Sequence, residues 1–251
     1  MFDVPAEAYD RLMGVYSVQL ASQLADVAGV HSGQRALDVG CGTGALTAEL
    51  VVRLGPDAVA AVDPSASFVA ASRERHPGVD VRQSAAEALP FPAASFDAAL
   101  AQLVVHFMAD PVAGLREMAR VTSRDGVVAA CVWDHAGGRS PLSVFWQAAR
   151  ELDADAKDES GLPGARAGHL AELSEAAGLH NVEESELVAT VTYADFEEWW
   201  EPFTAGVGPV GAYARGLDDA QRGELRERCR RLLPEPPFTI EAVAWATRGT
   251  V

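Results

Sequence analysis

The stretch Arg35–Gly44, which reads RALDVGCGTG, decides the fold of this 251-residue chain. A short apolar segment at 36–39 leads into a turn with glycine at positions 40, 42 and 44, and a helical pattern of apolar residues follows. Strand, glycine turn and helix, in this order, open a nucleotide-binding α/β domain. Glycine in such a turn allows positive φ angles and lets a ligand approach the backbone closely. The sequence therefore predicts an α/β domain that binds its ligand over this turn.

The spacing of the turn fits two kinds of ligand. Gly40, Gly42 and Ala45 also fit the dinucleotide fingerprint, which tolerates alanine at its last position. Asp38, however, lies at the end of the strand, where its carboxylate would oppose a pyrophosphate and attract a cation. S-adenosylmethionine carries a sulfonium and an ammonium and has no phosphate, so it suits this turn. A tight glycine turn that binds nothing is the remaining alternative.

The residues LDVGCGTG resemble the first motif of the class I S-adenosylmethionine-dependent methyltransferases, Asp-x-Gly-x-Gly-x-Gly after a strand. The resemblance covers about Tyr9 to Trp133 and is to the small-molecule group called type 11. It implies a Rossmann-like, doubly wound, seven-stranded sheet, mostly parallel with one antiparallel edge strand, with helices on both faces and a helical cap insertion. It also implies that the cofactor contacts Asp38, Gly40, Cys41 and Gly42.

Asp63 ends a second apolar strand and lies 23 residues beyond Gly40. In nucleotide-binding domains, an acidic residue at about this distance from the glycine turn accepts hydrogen bonds from the ribose hydroxyls. Asp63 and Pro64 resemble the family's second motif, which makes both of them candidate cofactor contacts. The alternative role for Asp63 is to cap the helix that begins near Ser65, although Ser65 can cap that helix itself.

The loop QSAAEALPF at 83–91 resembles the family's adenine-side loop. The resemblance makes Ala86 and Glu87 candidate cofactor contacts. Ala85 replaces the acid that would accept a hydrogen bond from the adenine amino group, and Ser84 and Glu87 are the alternative side chains for that contact. The backbone N–H of Ala86 can still donate to the ring.

The apolar run at 95–107 suits a central strand that is buried on both faces. Ligands of open parallel sheets lie beyond the carboxyl ends of the strands, which places Gln102, Leu103 and His106 at the site. The unperturbed pKa of histidine, near 6.5, would let His106 take a proton from an acceptor as a catalytic base. Packing inside the core is the alternative role for His106.

Residues 6–29 predict a helix with one apolar stripe that includes Tyr9 and Tyr16. In many relatives a helix of this kind lies over the cofactor, and the YDRLMGVYS run resembles theirs. We therefore expect Tyr16 to act as a lid residue over the cofactor, with core packing as the alternative.

The charge and composition of the chain limit the kinds of partner that it is expected to bind. The net charge is −16, and the segment from Arg150 to Glu201 holds 14 acids and 3 bases. A negative surface repels nucleic acid and anionic membranes, so we expect neither as a partner. No metal-ligand spacing is visible among the six histidines and three cysteines. The odd cysteine count, the lack of a long apolar run and an N-terminus unlike a signal peptide favour a cytoplasmic protein. The single lysine, Lys157, beside many arginines and abundant alanine resembles the coding bias of a GC-rich bacterium.

The pattern along the chain predicts one methyltransferase domain over 1–251. We expect an N-terminal lid at 1–30, a cofactor-binding core at 31–135, a variable substrate-side region at 136–236 and a closing strand at 237–251. The predicted function is methyl transfer from S-adenosylmethionine to a small, apolar or aromatic metabolite. An NAD-dependent oxidoreductase and a non-catalytic methyltransferase-like subunit remain as alternatives.

Overall fold

The computed structural model describes residues 5–251 and contains one seven-stranded sheet of order β3-β2-β1-β4-β5-β7-β6. Six of the strands run in one direction, and β7 is antiparallel to both of its neighbours. The strands are β1 Ala36–Val39, β2 Val59–Asp63, β3 Asp80–Gln83, β4 Phe96–Gln102, β5 Thr122–Trp133, β6 His180–Tyr193 and β7 Phe238–Thr250. The predicted Rossmann-like class is confirmed, and the antiparallel edge consists of the β7–β6 pair.

Helices cover both faces of the sheet because alternate residues of the central strands point to opposite sides. In β4, Ala98 and Leu100 join one core, whereas Ala99 and Ala101 join the other. The helices are α1 Ala6–Tyr9, α2 Val15–Val27, α3 Ala45–Leu54, α4 Ala66–Arg75, α5 Pro111–Val121, α6 Ser143–Leu152, α7 His169–Ala176, α8 Phe196–Thr204, α9 Gly208–Gly216 and α10 Asp219–Leu232. Within residues 5–251, none of these is both long and apolar enough to cross a bilayer.

The helix expected over 6–29 is present, but its hydrogen-bond pattern changes from α-helical to π-helical for one turn. A π-helical turn, Asp10–Gly14, joins α1 to α2 without a break in the chain direction. Turns of this kind occur mostly as single insertions and are frequent at functional sites.

The cap contains an aromatic core between α6 and α8. Phe145 stacks on Phe203 with ring centroids 5.0 Å apart, and Trp199 packs on Phe203 at 4.6 Å. These rings are almost fully buried. The aromatic run at 196–203 predicts either a roof over an apolar pocket or a helix that docks on the core, and in the structure it docks its helix onto the rest of the cap.

The glycines at 206, 208 and 211 predict a loop, which is confirmed at Gly206 and wrong at Gly208 and Gly211, because these two belong to helix α9. Helix α9 begins at Gly208 with Pro209 in its first turn, a position that suits proline because its missing N–H is not needed there. A Cβ at Gly211 would lie 2.3 Å from the carbonyl carbon of Gly206. The glycines thus allow close packing at the start of the helix.

Two glutamines of α2 cover the exposed edge of the sheet. The side-chain amide of Gln19 pairs with both backbone groups of Thr190, at 2.9 and 3.0 Å. Gln23 does the same with Val188, at 2.7 and 3.0 Å. Their one-turn spacing on the helix matches every second residue of β6, so the pair acts as a short extra strand and closes an edge open to pairing with other chains.

We expect Gln23→Ala and Gln19→Ala each to lower the free energy of unfolding by about 1 kcal/mol, because each removes two hydrogen bonds that water partly replaces. Urea denaturation followed by circular dichroism measures the change. Gln147→Ala, at an exposed position of α6, is the matched control and should leave stability unchanged. Equal stability of all the variants would contradict an edge-covering role.

Candidate active site

A cavity of about 620 Å³ lies beyond the carboxyl ends of β1, β2 and β4, as expected for an open parallel sheet. We call it the central cavity. The N-terminal helix lies on one side of it, and the loops after β4 and β5 together with the start of α9 close the other. The predicted site residues that line it are Gly40, Gly42, Asp63, Pro64, Ala86, Glu87, Gln102, Leu103 and His106.

Three predicted cofactor contacts do not line the central cavity: Tyr16, Asp38 and Cys41. Tyr16 is 1% exposed, and its hydroxyl pairs with that of Tyr193 at 2.9 Å. Tyr9, two turns earlier, lines the cavity instead. The side chain of Cys41 is buried, and burial raises the pKa of its thiol well above the usual value.

The glycine turn is fixed by the end of β2. The N–H groups of Gly40 and Cys41 both donate to the Val62 carbonyl, and Gly42 N–H donates to Asp63 Oδ2 at 2.9 Å. Gly40 has φ +73°, and a Cβ there would lie 2.4 Å from Val104. Three consecutive amides of the turn are therefore committed to the protein, which removes donors that a pyrophosphate would need.

Asp63 lies at the cavity wall, 6% exposed, with both carboxylate oxygens in use. Oδ2 accepts from Gly42 and Oδ1 accepts from the N–H of Ser65 at 2.8 Å. Ser65 itself caps α4. Burial raises the pKa of Asp63, while the two N–H groups oppose that rise. Each oxygen keeps a second lone pair, so the carboxylate can still accept from ligand hydroxyls.

Asp38 is buried behind the turn. Its Oδ2 accepts from the Thr47 hydroxyl at 2.6 Å, and its Oδ1 has no hydrogen-bond partner. Burial raises the pKa of Asp38 to about 7. An orphaned carboxylate oxygen beneath the turn fits a cationic ligand, which would favour the ionised form.

The wall of the central cavity is acidic. Among residues 5–251 it contains the carboxyl groups of Asp63, Glu87 and Glu159 and no lysine or arginine. A phosphate would meet no cationic side chain here. The same part of the chain contains no cluster of three or more His, Cys, Asp or Glu arranged to hold a metal ion.

Hydrogen bonds and an ion pair of Asp10 hold the N-terminal helix against the glycine turn. Asp10, in the π-helical turn, accepts from the Thr43 hydroxyl at 2.6 Å and pairs with Arg75 of α4 at 2.7 Å. Arg75 also donates to the Thr43 carbonyl. This contact places Tyr9 at the cavity wall, with its ring 5.4 Å from that of Phe68.

The loop after β4 carries backbone strain at the site. Leu103 has φ +60°, which is uncommon for a residue with a Cβ, and its N–H donates to the Cys131 carbonyl. Gln102 donates to the Ser17 carbonyl at 2.9 Å, whereas its buried Oε1 has no partner. Glu87 holds the same loop by accepting from the N–H groups of Ala109 and Asp110.

His106 is 5% exposed at the cavity wall, and its Nδ1 has no partner. Burial, with a smaller contribution from His135, lowers the pKa of His106 well below 6.5. The ordinary pKa assumed for His106 from sequence is therefore wrong for this site. The ring is neutral at physiological pH and can accept a hydrogen bond, but it is a weaker base than a free histidine.

Sequence reasoning missed His135 and Glu159, which also line the central cavity. Both ring nitrogens of His135 are buried without partners, and burial lowers the pKa of His135 to about 4. His135 follows the end of β5, so the rule that sites lie beyond strand ends would have found it. Glu159 lies in an irregular polar segment that carries no such signal.

These features define the class of domain: a Rossmann-like fold whose glycine turn and strand ends enclose a cavity suited to a nucleoside without phosphate. Residues 37–130 match the family model described as "Methyltransferase domain". Over this stretch, 94 of its 251 residues, the chain is similar to that family, which agrees with the methyltransferase resemblance found in the sequence.

Curated relatives support the same family. The chain is 34% identical over 139 residues to demethylmenaquinone methyltransferase of Renibacterium salmoninarum, a match that covers 54% of this chain and 58% of that protein. It is 32% identical over 146 residues to malonyl-[acyl-carrier protein] O-methyltransferase of Erwinia billingiae, covering 58% and 57%. The chain thus spans somewhat under three-fifths of the length of these relatives.

A solved structure agrees in fold over almost the whole chain. Phosphoethanolamine N-methyltransferase 2 of Haemonchus contortus, in complex with phosphomonomethylethanolamine and S-adenosylhomocysteine, superposes with a TM-score of 0.59. The sequence identity is 16%, and the match covers 98% of this chain and 57% of that one. At this identity the likeness concerns the fold alone.

We expect Asp38→Asn to stabilise the protein at pH 8 by about 2 kcal/mol and to change its stability much less near pH 4. In the unfolded chain Asp38 ionises near pH 4, but in the folded protein it ionises near pH 7. The wild type therefore loses stability as the pH rises through this window, and the asparagine variant does not. Urea denaturation at both pH values measures the difference.

Asp57→Asn removes the same charge from an exposed position and is the control. It should show no comparable dependence on pH. A stability difference for Asp38→Asn that stays constant with pH would contradict the raised pKa of Asp38.

Proposed function

We propose that this protein transfers a methyl group from S-adenosylmethionine to a small, apolar or aromatic acceptor. The observation that carries the proposal is the continuity of the central cavity. Its wall includes the glycine turn and Asp63 as well as His106 and Trp133. A cofactor at one end and an acceptor at the other would share one water-poor space, as a direct displacement requires.

In this proposal Asp63 holds the ribose hydroxyls, and Gly40 and Gly42 present bare backbone to the cofactor. Asp38 supplies negative charge beneath the turn, toward the cationic part of the ligand. Ala86, Pro64 and Glu87 line the adenine side. When bound, the cofactor supplies an activated methyl group, which needs no metal or covalent intermediate on the protein.

The chain's own contribution is alignment and exclusion of water. Effective molarity can lower the barrier for a well-oriented displacement by roughly 7–11 kcal/mol. Residues of the N-terminal helix, which Asp10 holds against the glycine turn, line the cavity together with Gln102 and Leu103. His106 orients the acceptor by accepting a hydrogen bond, and it takes a proton only from an acceptor group that is easily deprotonated.

The acceptor end of the central cavity is mostly apolar. Its wall includes Phe107, Trp133, Leu142, Val207 and Val210. This lining supports an apolar or aromatic acceptor over a polar metabolite. Two of the relatives are named for methyl transfer to demethylmenaquinone, a quinone precursor, and to a malonyl group on an acyl-carrier protein. The lack of lysine and arginine in the described wall favours an uncharged or cationic acceptor over a carboxylate.

S-adenosylhomocysteine, the demethylated product, should bind with an affinity that isothermal titration calorimetry can measure. We expect Asp63→Asn to weaken this binding about tenfold to hundredfold, because charge-assisted hydrogen bonds to the ribose are lost. Ser84→Ala, at the rim of the adenine-side loop, is the control and should have a much smaller effect. A rise in melting temperature with NAD, but none with S-adenosylhomocysteine, would contradict the proposal and favour an oxidoreductase.

We expect His106→Ala to lower the turnover of an accepted substrate while leaving S-adenosylhomocysteine affinity within about twofold of wild type. The reason is that His106 lies at the acceptor end of the cavity. Steady-state kinetics and calorimetry on the same preparation measure the two effects. Equal losses in both would instead indicate a packing role for His106.

A further inference from the structure

We propose that Glu159 is a specificity-determining residue that selects an acceptor carrying a protonated primary or secondary amine. The proposal rests on the proposed function and concerns the acceptor end of the same cavity. It goes beyond that function because it assigns a chemical class to the group that the acceptor presents.

Glu159 is a buried carboxyl group without a cation. It is 3% exposed, lines the central cavity and accepts a hydrogen bond from Trp146 Nε1 at 2.7 Å. Within residues 5–251 it forms no ion pair with lysine, arginine or histidine. Burial raises the pKa of Glu159 to about 7. Burying a carboxylate is costly unless it is paired, and a cationic ligand group would remove that cost.

The other two carboxyl groups in the wall are held by backbone N–H groups, although each keeps lone pairs for a ligand. Asp63 and Glu87 each accept two backbone N–H groups and lie on the side predicted to hold the cofactor. Glu159 is held by a single indole N–H and lies at the end formed by the cap. It is therefore the carboxyl group best placed to pair with a charge on the acceptor.

Two histidines of the same cavity wall also present hydrogen-bond acceptors. His106 Nδ1 and both ring nitrogens of His135 are buried without partners, and the two ring centroids are 5.9 Å apart. Their low pKa values keep both rings neutral, so each presents a nitrogen lone pair rather than a positive charge. An ammonium group has donors for the carboxylate and for these rings, and Trp133 in the wall offers an aromatic face.

Charge also bears on which acceptor the cavity can hold. Glu159 lies in the segment from Arg150 to Glu201, which has a net charge of −11 from its 14 acids and 3 bases, and within that segment it is the residue that lines the cavity. A strongly negative chain disfavours anionic ligands in general. No arginine or lysine of the described cavity wall could pair with an acceptor carboxylate or phosphate.

Three probes with the same aromatic ring and similar length test the assignment: phenethylamine, phenethyl alcohol and phenylacetate. Each is titrated by calorimetry into the full chain at neutral pH, with and without saturating S-adenosylhomocysteine. We expect wild-type protein to bind the amine at least about tenfold more tightly than the alcohol, and phenylacetate most weakly. Glu159→Gln keeps the shape and the Trp146 contact, and it should bind amine and alcohol alike.

Asp155→Asn removes one acidic charge from an exposed position of the same segment and should keep the preference for the amine. Equal binding of amine and alcohol by the wild type would overturn the proposal without any variant. So would a preference that survives in Glu159→Gln, or no amine binding at about 10 mM.

Failure of S-adenosylhomocysteine to bind would count against the proposed function instead. The titrations without the cofactor product would still decide the role of Glu159. A Glu159→Gln protein that does not fold leaves the wild-type comparison of the three probes as the deciding measurement.

Discussion

The hydrogen bonds between the end of β2 and the glycine turn are the contact on which the site depends. The Val62 carbonyl accepts from Gly40 and Cys41, and the Asp63 carboxylate accepts from Gly42. These bonds hold the turn in conformations with positive φ and bring Val104 against the bare Cα of Gly40. They also orient Asp63 at the cavity wall. This local set of hydrogen bonds thus fixes the shape of the turn and the direction of its acid, and it engages three amides that a phosphate would otherwise bind.

Buried polar groups without partners concentrate around the central cavity. They include Asp38 Oδ1, Gln102 Oε1, His106 Nδ1 and the ring nitrogens of His135. Each costs stability in the protein alone, because a buried polar group normally finds a hydrogen-bond partner. Leu103 adds backbone strain at the same place. Departures of this kind from the rules of a stable core are expected where a protein binds a ligand, since the ligand supplies the missing partners.

The two ends of the cavity come from different parts of the chain. The glycine turn, Asp63 and the adenine-side loop lie within residues 37–130, which match the methyltransferase domain family. His135, Leu142, Glu159 and the start of α9 lie beyond that match and belong to the cap. The family match therefore covers the side of the cavity that we propose holds the cofactor. The side that faces the acceptor depends on cap residues, and for that reason the proposals about the acceptor rest on the structure of this chain rather than on its relatives.

The sequence by itself determined the strand, glycine turn and helix at 35–54, the acid at the end of the second strand and the antiparallel last strand. These features depend on residue spacing and on the periods of helices and strands, which are local properties of the chain. Only the tertiary structure decided that Tyr9 rather than Tyr16 reaches the cavity and that Gly208 begins a helix. It also decided that Glu159 lines the same cavity as His106. It also decided the pKa values of Asp38 and His106. Those outcomes depend on which distant segments pack together and on how much water they exclude, and neither can be read from one segment at a time.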